Sequence, residues 1–220
     1  MKLNKYIDHT ILKSTATRLD IEKLCNEAAK WDFASVCINP IHVRFAKELL
    51  KDTNVRVCTV IGFPLGAVST NIKVAEAREA LENGCDEFDM VIDVGALKEG
   101  RYSDVEKDIL SVKGAIEGKI LKVIIETGLL SEQEKEIATK IVCEAGADFV
   151  KTCTGFTEGK ATVEDVKILA SGSKMFEKTF VKASGGIRTC QDAKALIEAG
   201  ASRLGTSAGV QIMQEFLKQK

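Results

Sequence analysis

Short apolar runs alternate with longer stretches whose apolar residues recur at helical spacing, and the alternation continues along the whole chain. The runs Tyr6–Asp8, Ser35–Asn39, Arg56–Ile61, Glu87–Asp93, Leu121–Glu126, Phe149–Thr152, Thr179–Ala183 and Arg203–Gly205 read as strands. They are rich in β-branched residues, as in Val57-Cys58-Thr59-Val60-Ile61, and almost continuously apolar, which suits strands covered on both faces. Helix starts lie between them. Ser131-Glu132-Gln133-Glu134 and Ser103-Asp104-Val105-Glu106 match the capping box, and Thr162 and Thr189, each with Asp three residues on, are weaker forms of it. From Glu134 to Glu144, Ile137, Ala138 and Ile141 share one face. Asn83-Gly84, Ala145-Gly146 and Ala199-Gly200 read as helix stops, because glycine accepts the left-handed C-terminal conformation.

Eight strand–helix units in 220 residues leave a little under thirty residues each, the size of a βα unit with short connections. Alternating β and α elements imply a parallel sheet, and a count of eight favours closure: an α/β fold, a single (β/α)8 TIM barrel spanning residues 1–220. The competing fold, an open doubly wound sheet, would carry a glycine-rich dinucleotide fingerprint after its first strand. Ile7-Asp8-His9-Thr10 contains no glycine.

Composition removes several functions. Lys plus Arg is 31 and Asp plus Glu is 32, so the chain lacks the cationic excess that nucleic-acid backbones require. The longest uncharged run, Val57 to Ile72, is too short and too polar to span a bilayer, and Met1 to Lys5 has no apolar leader. A cytoplasmic protein is expected. Seven widely spaced cysteines without a Cys-x-x-Cys pair argue against a disulfide framework. His9 and His42 are the only histidines, too few for a zinc site built on three of them. They lack acid or thiol neighbours that would suggest a triad and read as packing or surface residues.

Reactive residues of such barrels sit at the C-terminal strand ends. Two segments carry a lysine there: Phe149-Val150-Lys151 and Phe180-Val181-Lys182, each breaking into a glycine-containing loop. A strand-end lysine can simply snorkel to solvent. Two in matched context on consecutive strands, about 5 Å apart, point instead to one shared site. A free lysine, with a pKa near 10.4, is a neutral amine in roughly one molecule per thousand at pH 7. A second ammonium group and an apolar wall lower that pKa, and a fall of about three, roughly 4 kcal/mol, frees the amine for Schiff-base chemistry. Alternation in Glu87-Phe88-Asp89-Met90-Val91-Ile92-Asp93 puts Glu87, Asp89 and Asp93 on one side, where an acid could move protons, hold a lysine or form a structural salt bridge. Asp8 and Thr10 form another polar pair, at the end of the first strand. Ser184-Gly185-Gly186 and Gly205-Thr206-Ser207, after strands seven and eight and near Arg188, suit a phosphate group bound by backbone amides.

Taken together, these segments closely resemble the deoxyribose-phosphate aldolases. The likeness runs from Ile7-Asp8-His9-Thr10 through Gly62-Phe63-Pro64-Leu65-Gly66, Asp89-Met90-Val91-Ile92-Asp93 and Glu126-Thr127 to Phe149-Val150-Lys151-Thr152, Lys182-Ala183-Ser184-Gly185-Gly186-Ile187-Arg188 and Gly205-Thr206-Ser207. The resemblance implies a class I aldolase joining acetaldehyde and D-glyceraldehyde 3-phosphate to 2-deoxy-D-ribose 5-phosphate, and reversing that reaction in catabolism. It implies Lys151 as Schiff-base nucleophile, Asp89 as proton donor and acceptor, and Lys182 as the second active-site lysine, a proton donor and acceptor that also tunes the pKa of Lys151. Gly155, Gly185, Gly186, Gly205 and Ser207 match phosphate-contacting loops, and Asp8 and Thr10 fall at the substrate end. No metal or redox cofactor is called for, and a homodimer is compatible with the likeness. The chain departs from many relatives at Ala208, where a second serine often follows, so one hydroxyl donor to phosphate is absent. Cys37, ending the second strand, is read as packing near the substrate channel. Two other functions fit the residues alone: a different phosphosugar enzyme, and a non-catalytic barrel that binds phosphorylated metabolites.

Overall fold

A computed structural model describes residues 2–157, 159–176 and 178–219. Its strands are β1 (Ile7–Ile11), β2 (Ser35–Ile38), β3 (Arg56–Ile61), β4 (Glu87–Val91), β5 (Ile120–Ile124), β6 (Phe149–Lys151), β7 (Phe180–Ser184) and β8 (Arg203–Thr206). Each pairs in parallel with the next, and β8 pairs with β1, closing the barrel. Helices α1 (Arg18–Trp31), α2 (Val43–Leu50) and α3 (Thr70–Glu82) follow the first three strands. A short α4 (Val94–Lys98) and a longer α5 (Tyr102–Ala115) both follow β4; α6 (Glu132–Glu144), α7 (Val163–Ser173), α8 (Cys190–Glu198) and α9 (Gly209–Lys218) complete the shell. Among the described residues no helix is long and apolar enough to cross a membrane.

The strands serve two interiors. Val36, Val57, Phe88, Leu121, Val123, Val150, Val181 and Leu204 belong to the large apolar core shared with the helices. The alternate positions of the same strands point into the barrel, as period-two geometry requires. There the side chains are largely charged: Asp8, Glu87, Asp89, Lys122, Lys151, Lys182 and Arg203 are all buried. An apolar minority, Cys37, Cys58 and Val60, packs as a separate small cluster under Leu12 and Phe63.

Of the four helix starts expected from the sequence, three follow the capping logic. Ser131 and Thr189 form complete capping boxes with Glu134 and Asp192, and Thr162 accepts from the Asp165 amide. Thr17 and Asp20 add a box of the same type at α1. Ser103 does not cap: α5 begins two residues earlier than that cap requires, with Arg101 at the cap position, so Ser103 already lies in the first turn. Gly84, Gly146 and Gly200 all have positive φ after their helices, as the stop pattern requires. Strand β1 runs three residues beyond the expected end, so Asp8 sits mid-strand. Strand β4 ends at Val91; Asp93 leaves the expected alternation and instead accepts from the Ala96 amide to cap α4.

The connection from β3 to α3 packs backbone on backbone. Gly66 has φ 68°, and a Cβ built there would fall on the carbonyl oxygen of Ile92. Gly100 has a similar φ of 75° with open space around it. Gly66→Ala is expected to cost at least about 2 kcal/mol more in urea unfolding than Gly100→Ala, which carries only the left-handed backbone penalty of about 1 kcal/mol.

Candidate active site

Strand register places the lysines. Lys151 and Lys182 are directly paired across β6 and β7, and Asp89 and Lys122 across β4 and β5. Neither Lys151 nor Lys182 snorkels to solvent; the two are 3% and 0% exposed. Both reach the same oxygen: Asp89 Oδ2 lies 2.6 Å from Lys151 Nζ and 2.7 Å from Lys182 Nζ. The other oxygen, Oδ1, accepts from Lys122 Nζ at 2.8 Å and from the Cys58 thiol at 3.1 Å. Lys122 continues to Glu87 at 2.7 Å, and Lys182 to Asp8 at 2.5 Å. Arg203 closes the ring, 2.7 Å from Asp8 and 3.0 Å from Glu87, and Ser35 donates to Asp8.

Burial alone would push each carboxyl up and each ammonium down. The partners reverse both. Asp8 is held below the usual carboxylate range by Arg203, Lys182 and Lys122, and Asp89 far below it by Lys122, Lys151 and Lys182. Glu87 is lowered too, with Lys122 as its main cationic partner. In the opposite sense, Asp8 and Asp89 raise Lys182 above an ordinary lysine, and Asp89 does the same for Lys122. Lys182 is therefore a fixed cation. The expectation that two neighbouring ammonium groups simply discharge each other omitted the carboxylates placed around them.

Above this floor, at the C-terminal strand ends, opens a cavity of about 400 Å³. Thr10, Lys151, Gly155, Gly185, Gly186, Gly205 and Ser207 line it, with Arg188 and Lys13 beside them. Asp8, Asp89 and Lys182 do not line it; they lie buried beneath. Asp8, expected at the substrate end, is thus an ion-pair member of the floor. Gly185 and Gly186 have φ 101° and 76°, turning consecutive amides in a conformation that suits glycine. Ala208 gives α9 no side-chain cap, and its own amide donates to the Thr206 hydroxyl. At Gly205, a Cβ would come within 3.2 Å of Lys182 Cε, so the glycine lets the lysine stem pass.

Sequence reading missed Lys122 and Arg203. Lys122 carries the same signal as the other two, a lysine inside an apolar strand, and applying that criterion to β5 finds it. Arg203 opens its strand and has no such mark. Cys37, Cys58 and Asp89 bring possible metal-ligating atoms within 4.8 Å of one another, but ammonium groups already occupy both Asp89 oxygens and repel a dication. Cys37 is buried with Cys58 and packs below Leu12, which lines the cavity. His9 was read as lacking an acidic neighbour; the fold supplies one, Glu27 on α1, 2.8 Å from Nε2. Burial lowers the His9 pKa, and the ring packs against Phe33.

A family model described as DeoC/LacD family aldolase matches residues 2–215. A deoxyribose-phosphate aldolase of Carboxydothermus hydrogenoformans is 58% identical over 217 residues, covering 97% of this chain and 94% of that protein. Deoxyribose-phosphate aldolase 1 of Staphylococcus aureus (strain MRSA252) is 54% identical over 214 residues, covering 97% and 96%. Among solved structures, the deoxyribose phosphate aldolase of Aeropyrum pernix, described as having a unique tetrameric structure, matches with a TM-score of 0.92. It is 34% identical, over 99% of this chain and 92% of that one.

The buried ion network has a pH signature. Its carboxyls are held below their unfolded values near 4, so their stabilisation is complete above that pH and is lost as pH falls through the range between the unfolded and folded values. Lys122 and Lys182 are raised, so theirs is complete below the unfolded value near 10.4 and lost as pH rises past it. Thermal or urea unfolding is expected to show a plateau between those limits. Asp89→Asn should lower the plateau by about 3–5 kcal/mol and shallow the acid limb, because it removes the one carboxylate partner of buried Lys151 and one of those of Lys122 and Lys182.

Proposed function

The chain belongs to the DeoC/LacD aldolase family, and on that premise we propose that its barrel mouth reversibly cleaves 2-deoxy-D-ribose 5-phosphate to D-glyceraldehyde 3-phosphate and acetaldehyde, with Lys151 as Schiff-base nucleophile. The observation that carries the assignment of Lys151 is its position. Of the three lysines around Asp89, it alone lines the cavity. Lys122 has carboxylates on two sides, Glu87 and Asp89, and so has Lys182, between Asp8 and Asp89. Lys151 has Asp89 alone among the described residues.

Charge counting supports the same choice. The floor holds three buried carboxylates, Asp8, Glu87 and Asp89, and four buried cations, Lys122, Lys151, Lys182 and Arg203, with the exposed Arg56 also 3.0 Å from Glu87. Removing the proton from Lys151 lowers the positive excess of the cluster. It also takes one of three ammonium groups from Asp89, whose proton affinity rises in consequence. Freeing the nucleophile and activating the relay are therefore coupled, and Lys182 holds its positive charge throughout.

In cleavage, the Lys151 amine adds to the C1 aldehyde of the open-chain sugar, and loss of water leaves an iminium. Proton removal from the C3 hydroxyl lets the C2–C3 bond break, its electron pair flowing to the iminium nitrogen to give an enamine. D-glyceraldehyde 3-phosphate departs. Protonation at C2 and hydrolysis release acetaldehyde and restore the amine. Asp89, relayed by a water molecule, takes and returns the protons. The phosphate lies against Gly155, the Gly185–Gly186 turn, Gly205 and Ser207, where backbone amides and a helix start replace its hydration, and Thr10 faces the sugar. Family membership, a buried and fully ion-paired floor, and free cysteines throughout support a metal-independent lyase of deoxyribose phosphate catabolism in the cytoplasm. The tetrameric Aeropyrum pernix relative supports a homo-oligomer.

Borohydride reduction with acetaldehyde, followed by peptide mapping, tests the assignment. A reduced two-carbon adduct on Lys151 is expected, and Lys151→Ala should lose the adduct and about a thousandfold or more of the turnover. An adduct confined to another lysine, or full turnover in Lys151→Ala, overturns it.

A further inference from the structure

Glu126, which the site above leaves unused, has the less common backbone of a non-glycine residue in the left-handed region, φ 57° and ψ 65°. It follows β5 and is 2% exposed. Its carboxylate reaches across to the loop after β6. The Thr154 amide donates to both of its oxygens, at 3.2 and 3.3 Å, and the Thr154 hydroxyl donates to Oε2 at 2.6 Å. The same hydroxyl accepts from the Phe156 amide at 3.1 Å. Thr154, Gly155 and Phe156 form one wall of the cavity, three to five residues beyond Lys151.

The neighbours of Glu126 grip the other side of that loop. The Thr127 amide donates to the Thr152 carbonyl, and the Thr127 hydroxyl meets the Cys153 sulfur at 3.3 Å. At Gly128 a Cβ would lie 2.6 Å from the Gly159 Cα, so the two loops touch along their backbones. Strained backbone held in place beside a ligand cavity is a device for fixing a side chain in one direction. Here the direction is toward the wall that carries Gly155.

We propose that Glu126 is a positioning residue that sets the Thr154–Phe156 wall and through it the affinity for the phosphate end of the substrate, without taking part in the Schiff-base step. The proposal rests on the reading of the cavity as a sugar-phosphate site. Gln at this position retains an oxygen that can accept both Thr154 donors. Gly removes the carboxylate while suiting the observed backbone, so its effect reports on the lost side chain rather than on added strain.

Three readouts on the full chain test it: KM and kcat for 2-deoxyribose 5-phosphate, the Kd of inorganic phosphate, and the rate of borohydride trapping of acetaldehyde on Lys151. Glu126→Gly is expected to raise KM and the phosphate Kd about tenfold, the size of one or two lost charge-assisted hydrogen bonds. Its trapping rate should stay within about twofold of wild type, and Glu126→Gln should stay within about twofold in all three. Unchanged KM and Kd in Glu126→Gly, trapping that falls in parallel with them, or equal losses in Glu126→Gln and Glu126→Gly would each overturn the proposal. A wild type that does not cleave the sugar phosphate defeats the underlying reading, and the phosphate Kd then decides the role of Glu126 by itself.

Discussion

Seven charged side chains share the inside of one barrel, three carboxylates against four cations, and nearly every other feature of the molecule is arranged around that fact. Charges removed from water are costly unless each finds an opposite partner at contact distance. Asp89 meets that requirement for three lysines at once, with Lys151 and Lys182 on one oxygen and Lys122 on the other. Asp8, Glu87 and Arg203 complete a closed circuit. Only a closed parallel barrel brings the inward positions of β1, β4, β5, β6, β7 and β8 within reach of a common centre.

The circuit is a rigid floor, and the loops above it are a separate part. Charge pairing is set below, by side chains on strands that cannot shift without breaking register. Glycine turns after β6, β7 and β8 line the cavity above. The two parts meet at Gly205, whose missing Cβ leaves room for the Lys182 stem, and at Lys151, which belongs to both. The lysine open to the cavity, Lys151, is also the one with a single carboxylate partner among the described residues.

Local signals were legible where the physics is local. Capping boxes at Ser131 and Thr189 formed as expected because each needs only four consecutive residues, and the strand Arg56–Ile61 agrees end to end. Errors arose where a neighbouring element competed. Ser103 lost its cap because α5 starts two residues earlier, and Asp93 left the alternation because capping α4 ended the strand. His9 found its carboxylate eighteen residues away in sequence. Lys122 was overlooked although its apolar context matches that of Lys151 and Lys182.

By itself the sequence determined the eight-fold alternation, and hence the parallel barrel, the paired lysines at matching strand ends, and the glycine loops beyond them. Those follow from hydrophobic period and turn chemistry, which act over a few residues. Tertiary structure alone decided the partners of each charge. It put Asp89 among three lysines, drew Asp8 down from the substrate end into the floor, and left Lys151 as the lysine facing the cavity. Such pairings depend on strand register around a closed ring, which joins residues as far apart as Asp8 and Arg203, and no local pattern encodes them.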